Sequence, residues 1–300
     1  MRLLTFQTAG LEPRAGALEG EDVIDLAALG EAAGRPLPRT TGGYVADETA
    51  LATARDLLTA HRGAWPAGTA HRLGDVTLRA PLRPGKIVGV GLNYVEHVAE
   101  SSRSLDTAKE LPTRPVLFSK PATAVVGPGE PILHNAALTE QLDWECELAV
   151  VIGSTARGVK AGDALAHVFG YSITNDISAR DQRRSGQWFF SKGQDSYAPL
   201  GPWIVTADEI GDPQDLDVSL RVNGEVKQKS NTRHMLFSIA DLIADITSGM
   251  TLEPGDVIAT GSPSGVGAAQ VPPQFLRPGD VVELEIENIG RLVNPVVAHP

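Results

Sequence analysis

The sequence predicts a mainly β protein of the α+β class, with a small N-terminal α+β domain followed by a larger, strand-rich domain. Two observations support this prediction. About the first 80 residues mix short strand-like runs with one helical stretch, and strand signals dominate after the proline-marked connector APLRPGK. The chain has 300 residues, 42% of them apolar, which is enough to bury two cores of unequal size. We therefore place the domain boundary near residue 82, which gives units of 1–82 and 83–300.

Four local patterns define the main elements in chain order. The stretch DETALATARDLLTAHRG begins with an aspartate cap and ends in glycine, which is typical of a helix. The Asn223-Gly224 pair between alternating runs predicts a β-hairpin, because both residues accept the positive φ of its turn. SIADLIADITSGM predicts an amphipathic helix that stops at a glycine. In VVELEIE, apolar residues and glutamates alternate as in a strand with one face in water.

The composition argues against several classes of partner. Net charge is −11 and no cluster of basic residues is present, so nucleic acid is not expected as a partner. No apolar run is long enough for a transmembrane helix, and the first residues do not resemble a signal peptide, so we expect a cytoplasmic protein without membrane contact. The single cysteine, Cys146, permits no internal disulfide and reads as a small buried apolar residue.

Glycine-rich segments do not indicate a nucleotide site. GVGLNY has Gly89 and Gly91, but Tyr94 stands at the third glycine position of the dinucleotide fingerprint. GSPSGVG lacks the lysine of a phosphate loop, and we interpret it as a loop whose backbone approaches a ligand closely.

The stretch LDWECELAVVIG, residues 142–153, predicts a metal site. Side chains alternate along a strand, so Glu145 and Glu147 share one face, which continues with Ala149 and Val151 into the interior. Buried carboxylates without a counter-charge are costly, and a hard divalent cation such as Mg²⁺ resolves that cost. A third carboxylate, Asp176, ends the strand-like run VFGYSITND; a turn or helix cap is the alternative interpretation for it.

Candidate acid-base groups lie elsewhere in the chain. Asn93 is placed to cap a short helix on which His97 and Glu100 share one face, and a carboxylate beside an imidazole suits a general base. Lys192 follows the bulky apolar run QWFF. Surface ion pairs or solvated side chains are the alternative interpretation for all three residues.

Together these motifs resemble the fumarylacetoacetate hydrolase family. The matching segments occur in family order over about residues 84–297: GVGLNYVEH, LFSKPATAVVGPGEPI, DWECELAVVIG, GYSITNDISARD, APLGPW, MLFSIADLI, GMTLEPGDVIATGSPSGVG and FLRPGDVVELEIENIGRLVNPV. The resemblance implies a large domain of mixed β-sheet, a rolled sandwich or barrel-like sheet, after a small variable N-terminal domain. It also implies a homodimer.

The resemblance assigns roles to individual residues. It implies that Glu145, Glu147 and Asp176 bind Mg²⁺ or Mn²⁺, that His97 and Glu100 activate a water from a short lid helix, and that Lys192 contacts the substrate. Further pocket positions are implied for Lys120, Arg180, Gln182 and Thr260. The family pattern Ala-Arg-Asp-x-Gln is altered here to ARDQRRSGQW, so Gln182 stands one place before the family glutamine.

These parts suit a small-molecule oxo acid as substrate. We expect a divalent-metal-dependent hydrolase that cleaves a C–C bond of a 1,3-diketo acid, such as an acylpyruvate or fumarylacetoacetate, through an enolate. The same groups also suit a decarboxylase of oxaloacetate-like 2-oxo acids, or a tautomerase or isomerase of muconate-type oxo-diacids. A metal-dependent binding module without turnover is the alternative from another class, and the presence of His97, Glu100 and Lys192 argues against it.

Overall fold

The computed structural model describes residues 1–96, 111–184 and 186–300, and within these ranges the chain is mainly β-structure. The described strands are β1 Arg2–Gln7, β2 Arg14–Glu19, β3 Asp22–Asp25, β4 Ala70–Arg72, β5 Thr77–Arg79, β6 Ile87–Gly91, β7 Val116–Lys120, β8 Val125–Val126, β9 Ile132–His134, β10 Leu142–Asp143, β11 Cys146–Ile152, β12 Val168–Asn175, β13 Ser178–Ala179, β14 Ala198–Thr206, β15 Asp217–Val222, β16 Glu225–Asn231, β17 Val257–Ala259, β18 Val281–Ile286 and β19 Gly290–Ala298. The described α-helices are α1 Leu26–Ala32, α2 Thr41–Ala46, α3 Glu48–His61, α4 Phe189–Lys192 and α5 Ile239–Thr247. Short 3₁₀ turns connect several of them.

Most strands belong to one large mixed sheet. In the described part of the chain its order is β4-β3-β2-β1-β14-β12-β11-β17-β6-β7, with β5 beside β1 and β8 beside β14. Nearly all neighbours are antiparallel, whereas β17 runs parallel to β6. A second sheet has the order β16-β15-β18-β19-β9, and β10 pairs with β13. The mainly β fold class predicted from the sequence is confirmed.

The two larger sheets enclose a common core. Alternate residues of the large sheet, among them Leu148 and Ile173, belong to the same buried cluster as Leu220, Leu284 and Leu292 of the second sheet. The opposite face of β11 carries Ala149 into a separate buried cluster. Because β11 is buried on both faces, charged groups at its start lie within the protein rather than at its surface.

The N-terminal unit has its own small core but shares the large sheet. Helices α1 to α3 cover β1 to β3, and Leu3, Ile24, Leu29 and Tyr44 belong to a buried cluster there. Strand β1 pairs antiparallel with β14, which lies some two hundred residues later in the chain. The domain boundary near residue 82 stays a prediction, since hydrogen-bonded strands from both sides of it lie in one sheet.

Predicted local elements are found where the patterns place them. The Asp47 side chain caps α3 by accepting from two backbone N–H groups, and Ser238 caps α5. Asn223 and Gly224 adopt positive φ angles of 51° and 82° between β15 and β16, as the hairpin turn requires. Among the described residues, no helix combines the length and apolar character needed to cross a membrane.

Candidate metal centre and active site

Three carboxylates converge where β11 begins and β12 ends. The two strands are antiparallel, with Cys146 opposite Asn175, so Glu145 and Glu147 at the start of one meet Asp176 at the end of the other. The Asp176 backbone N–H donates to the Glu145 carbonyl at 2.9 Å, which fixes the two chain ends together. One oxygen from each of the three carboxylates lies within 4.8 Å of the others, and all three residues are buried. The structure therefore brings the three carboxylates together, and their role as metal ligands stays a prediction.

Two buried lysines contact the same carboxylates. Lys192, the last residue of α4, places its Nζ 2.9 Å from Glu145 Oε2 and also within hydrogen-bond distance of Asp176 Oδ2 and of Ser178 Oγ. Lys120, the last residue of β7, donates to Asp176 Oδ1. Burial disfavours the ammonium of Lys192, but the charges of Asp176 and Glu145 outweigh it and raise the pKa. Burial lowers the pKa of Lys120 despite the Asp176 carboxylate.

Arg180 bridges two buried carboxylates behind the cluster. Its Nη2 lies 2.6 Å from Glu145 Oε1 and its Nε 2.8 Å from Asp143 Oδ2. Asp143 in turn accepts backbone N–H groups of Gly267 at 2.6 Å and Ala268 at 2.9 Å. Although burial opposes it, attraction to Glu145 and Asp143 raises the pKa of Arg180. The arginine therefore orients Glu145 and anchors the loop that follows β17.

The geometry and charge of this cluster fit a divalent cation. No Lys or Arg among the described residues forms an ion pair with Glu147, whose Oε2 accepts only the backbone N–H of Gly261 at 2.9 Å. Burial, and then the charges of Asp176 and Glu145, raise the pKa of Glu147 well above its usual range. A divalent cation between the three carboxylates would remove that repulsion, and an all-oxygen donor set favours Mg²⁺, Mn²⁺ or Ca²⁺ over Zn²⁺.

The segment after β17 closes one side of the cluster. Thr260 is fully buried, and its hydroxyl donates to the Leu148 carbonyl at 2.9 Å, so it joins β17 to β11. Asn93 donates from its amide to the Thr260 carbonyl at 2.8 Å and accepts from the Phe237 N–H at 2.8 Å. These bonds hold the Gly261 N–H against Glu147. Most of the segment that Asn93 was expected to cap lies outside the described residues, so that role stays a prediction.

Two aromatic rings pack directly on the backbone of β6. A Cβ at Gly89 would lie 2.1 Å from the Phe118 ring, and one at Gly91 would lie 2.3 Å from the Trp188 ring. The rings contact each other with centroids 5.5 Å apart, and the Lys192 Nζ lies 4.8 Å from the Phe118 centroid. The glycines of GVGLNY therefore admit an aromatic wall beside the buried lysine.

The structure does not place Gln182 at the cluster, and two other predicted residues lie outside the described part of the chain. The Gln182 amide donates to the Leu138 carbonyl and its Oε1 lies 3.4 Å from Arg184, and within the described residues it makes no hydrogen bond to the three carboxylates. His97 and Glu100 lie outside the described residues. The roles assigned to these three residues stay predictions.

Several residues of the site were missed in the sequence. Asp143 is two positions before Glu145, so strand alternation could have placed it on the same face as the two glutamates. No local pattern indicates Ser178, Phe118 or Trp188, which reach the site only through the tertiary fold, whereas Gly261 begins the GSPSGVG segment that we interpreted as a loop close to a ligand.

Comparisons with known proteins agree with this fold. A family model described as "Fumarylacetoacetate (FAA) hydrolase C-terminal" matches residues 86–297. The chain is 42% identical over 304 residues to "Oxaloacetate tautomerase Fahd2a, mitochondrial" of Rattus norvegicus, covering 99% of this chain and 92% of the rat protein.

Two solved structures are similar over their whole lengths. A fumarylacetoacetate hydrolase (EaFAH) from psychrophilic Exiguobacterium antarcticum has a TM-score of 0.81 and 38% identity, with both chains covered completely. Maleylpyruvate hydrolase from Sphingobium sp. SYK-6, in complex with manganese(II) ion and pyruvate, has a TM-score of 0.80 and 31% identity, again with complete coverage.

Proposed function

Because the chain belongs to the fumarylacetoacetate hydrolase family of enzymes, we propose that it is a divalent-metal-dependent tautomerase of an oxaloacetate-like 2-oxo diacid. The observation that carries the proposal is the buried cluster of Glu145, Glu147 and Asp176 with Lys192 directly against it. The chain matches a protein named oxaloacetate tautomerase over 99% of its own length, which supports this choice among the reactions that such a cluster suits. The hydrolase that we expected first from the sequence becomes the second candidate.

The reaction moves one proton. The keto form loses a proton from the carbon beside the keto group, and the keto oxygen gains one, so atoms and charge balance without a further reactant. A divalent cation held by the three carboxylates, which we propose to be Mg²⁺ or Mn²⁺, would supply a Lewis acid for a 2-oxo acid and lower the cost of negative charge on its keto oxygen.

The chain's own side chains supply position and charge. The Lys192 ammonium is held by Glu145, Asp176 and Ser178, so it places a fixed positive charge beside the carboxylates. Arg180 holds Glu145 in place from behind, and Lys120 does the same for Asp176. We assign the proton transfer to His97, oriented by Glu100, which rests on the sequence pattern alone.

The test follows the enol absorbance of oxaloacetate and the release of pyruvate in parallel, using chelator-treated protein with and without added Mg²⁺ or Mn²⁺. We expect metal-dependent interconversion without matching pyruvate release. Lys192→Met should lose most of this activity, whereas Lys229→Met, at an exposed position of β16, should retain it. Equal rates in the metal-free protein, or pyruvate formed as fast as enol is lost, would contradict the proposal; the second result would indicate a decarboxylase.

Hydrolysis of a 1,3-diketo acid is the second candidate function, and two specific observations support it. His97 and Glu100 form a pattern suited to activating water, and the chain resembles a maleylpyruvate hydrolase over its full length. With an acylpyruvate as substrate, His97→Ala should lower any cleavage by at least roughly 10²-fold, because hydroxide formation needs a base. Unchanged cleavage in that variant would exclude this route.

Location and assembly are also proposals. We propose a cytoplasmic homodimer, as expected from the composition and from the family resemblance. Size-exclusion chromatography with light scattering tests the dimer, and a monomer across the concentration range would contradict it.

A further inference from the structure

A cavity lies where the N-terminal unit meets the loops that precede β6 and β17. Its volume is about 400 Å³, and its lining includes Arg14, Arg39 and Arg83 together with Thr40 and Thr41. Among the described residues, no aspartate or glutamate lines it. Three arginines around one cavity are a marked local excess of positive charge in a chain whose net charge is −11.

The existing ion pairs of these arginines leave their guanidinium groups able to bind an anionic ligand. Arg83 is exposed and forms no ion pair within the described residues. Arg39 lies 3.5 Å from Glu31, but both side chains are about two-thirds exposed, so this pair contributes little. Arg14 is held 2.9 Å from the buried Asp25, which fixes the guanidinium at the cavity wall from behind. The carboxylates that pair with the arginines thus lie outside the lining.

The backbone around the cavity is already fixed. The hydroxyls of Thr5 and Thr41 both donate to the Pro81 carbonyl, which attaches the connector to the N-terminal unit. The Arg39 carbonyl accepts the Ala15 N–H at 2.8 Å. In the part of the chain that the structure describes, the Thr40 side chain caps no helix and makes no hydrogen bond, so its hydroxyl is available to a ligand. A ligand would therefore meet preformed walls rather than order a loop.

The cavity and the carboxylate cluster lie at opposite ends of the same two strands. Gly85 and Gly255 line the cavity, and each precedes the start of its strand, β6 or β17, by two residues. These strands are parallel neighbours, so both run from the cavity toward the active site. At the far end of β17, the Gly261 N–H donates to Glu147.

We propose that this cavity binds a small polyanion, a phosphate-bearing or polycarboxylate metabolite, and that the bound anion links the N-terminal unit to the larger domain, residues 83–300. The cavity volume of about 400 Å³ lies within the usual range of small-molecule binding sites. Arginine is the side chain best suited to carboxylate and phosphate, because its planar donors match the geometry of both groups. The proposal does not depend on which reaction the carboxylate cluster catalyses.

The experiment measures binding of inorganic phosphate and of citrate to the full chain by calorimetry and thermal unfolding. Metal-free protein is used at constant ionic strength, with sodium chloride as the matched salt. We expect saturable heat and a saturable rise in the unfolding temperature for at least one probe. Binding of phosphate alone identifies a phosphate-type ligand, and binding of citrate alone identifies a polycarboxylate.

Variants separate this cavity from other basic sites. Arg83→Gln and Arg39→Gln should each weaken binding by about 10-fold or more, since each removes charge-assisted hydrogen bonds. Arg72→Gln is the control, because Arg72 is 63% exposed on β4 and does not line the cavity. An unchanged unfolding curve in the absence of anion shows that each variant is folded. Absence of saturable binding, retention of full affinity in the double variant, or an equal loss in Arg72→Gln would each overturn the proposal.

Discussion

Replacing Glu147 by glutamine tests the metal centre most directly. Glu147 is buried between Glu145 and Asp176, and no Lys or Arg in the described residues pairs with it. The glutamine has almost the same shape, and its carbonyl oxygen can still accept the Gly261 N–H. The substitution therefore removes one negative charge and one metal ligand while leaving the packing nearly unchanged.

The expected magnitudes follow from linkage between binding and folding. At a metal concentration 100 times the dissociation constant, the wild-type protein gains about 2.7 kcal/mol of unfolding free energy. That gain corresponds to roughly 4 °C in unfolding temperature for a chain of 300 residues, because an unfolding entropy of about 2.1 cal/mol/K per residue gives about 0.6 kcal/mol/K for the whole chain. Loss of an outer-shell group typically costs 10- to 100-fold in metal affinity, and loss of a ligand should cost at least as much. With a 100-fold loss, the variant would gain only about 0.4 kcal/mol.

Without metal, the wild-type protein should lose its stability advantage over the Glu147→Gln variant. Three carboxylate oxygens within 4.8 Å repel one another, so the neutral amide should leave the metal-free variant at least as stable as the wild type. Thermal unfolding of chelator-treated protein with increasing Mg²⁺ measures both effects. Glu12→Gln, at an exposed loop position, serves as the control. An equal metal-induced rise in both proteins, or a metal-free variant much less stable than the wild type, would refute the reasoning.

Two further substitutions probe the groups around the cluster. Arg180→Gln should lower the unfolding free energy by about 3 to 5 kcal/mol in denaturant titrations, because it leaves Asp143 buried without its cation and leaves Glu145 with Lys192 alone. A change as small as that of a surface arginine, such as Arg72→Gln, would contradict this. Gly91→Ala should cost about 1 to 3 kcal/mol in the same assay, because its Cβ would lie 2.3 Å from the Trp188 ring, whereas Gly74→Ala meets open space. Equal effects of the two alanines would show that the aromatic wall does not constrain β6.

Part of the carboxylate cluster was predictable from local geometry. Alternation along the chain brings Glu145 and Glu147 to one face. The approach of Asp176 depends on the pairing of β11 with β12, and the sequence alone left a turn or helix cap open for it. The fold class was equally accessible, since turns such as Asn223-Gly224 mark the strands on either side.

The cations and the aromatic wall were harder to predict for a physical reason. Lys120 and Lys192 reach Asp176 from sequence distances of 56 and 16 residues, and only the resemblance to a family indicated their place. Gly89 and Gly91 lie under the rings of Phe118 and Trp188, a constraint that depends on residues far along the chain. Sheet order across the predicted domain boundary is likewise a tertiary property.

The pairing of β1 with β14 determines the order in which this protein can fold during synthesis. Strand β1 is synthesised well before β14, because residues 204–205, which pair with residues 2–3, follow only after about two hundred more residues have been made. Strand β5 covers residues 5–7 of β1 early, but at synthesis rates of roughly 5 to 20 residues per second the edge at Arg2 and Leu3 stays open for tens of seconds at the slow end. An open strand edge can pair with a strand of another chain, so correct folding requires that β14 pairs with this edge before a strand of another molecule does.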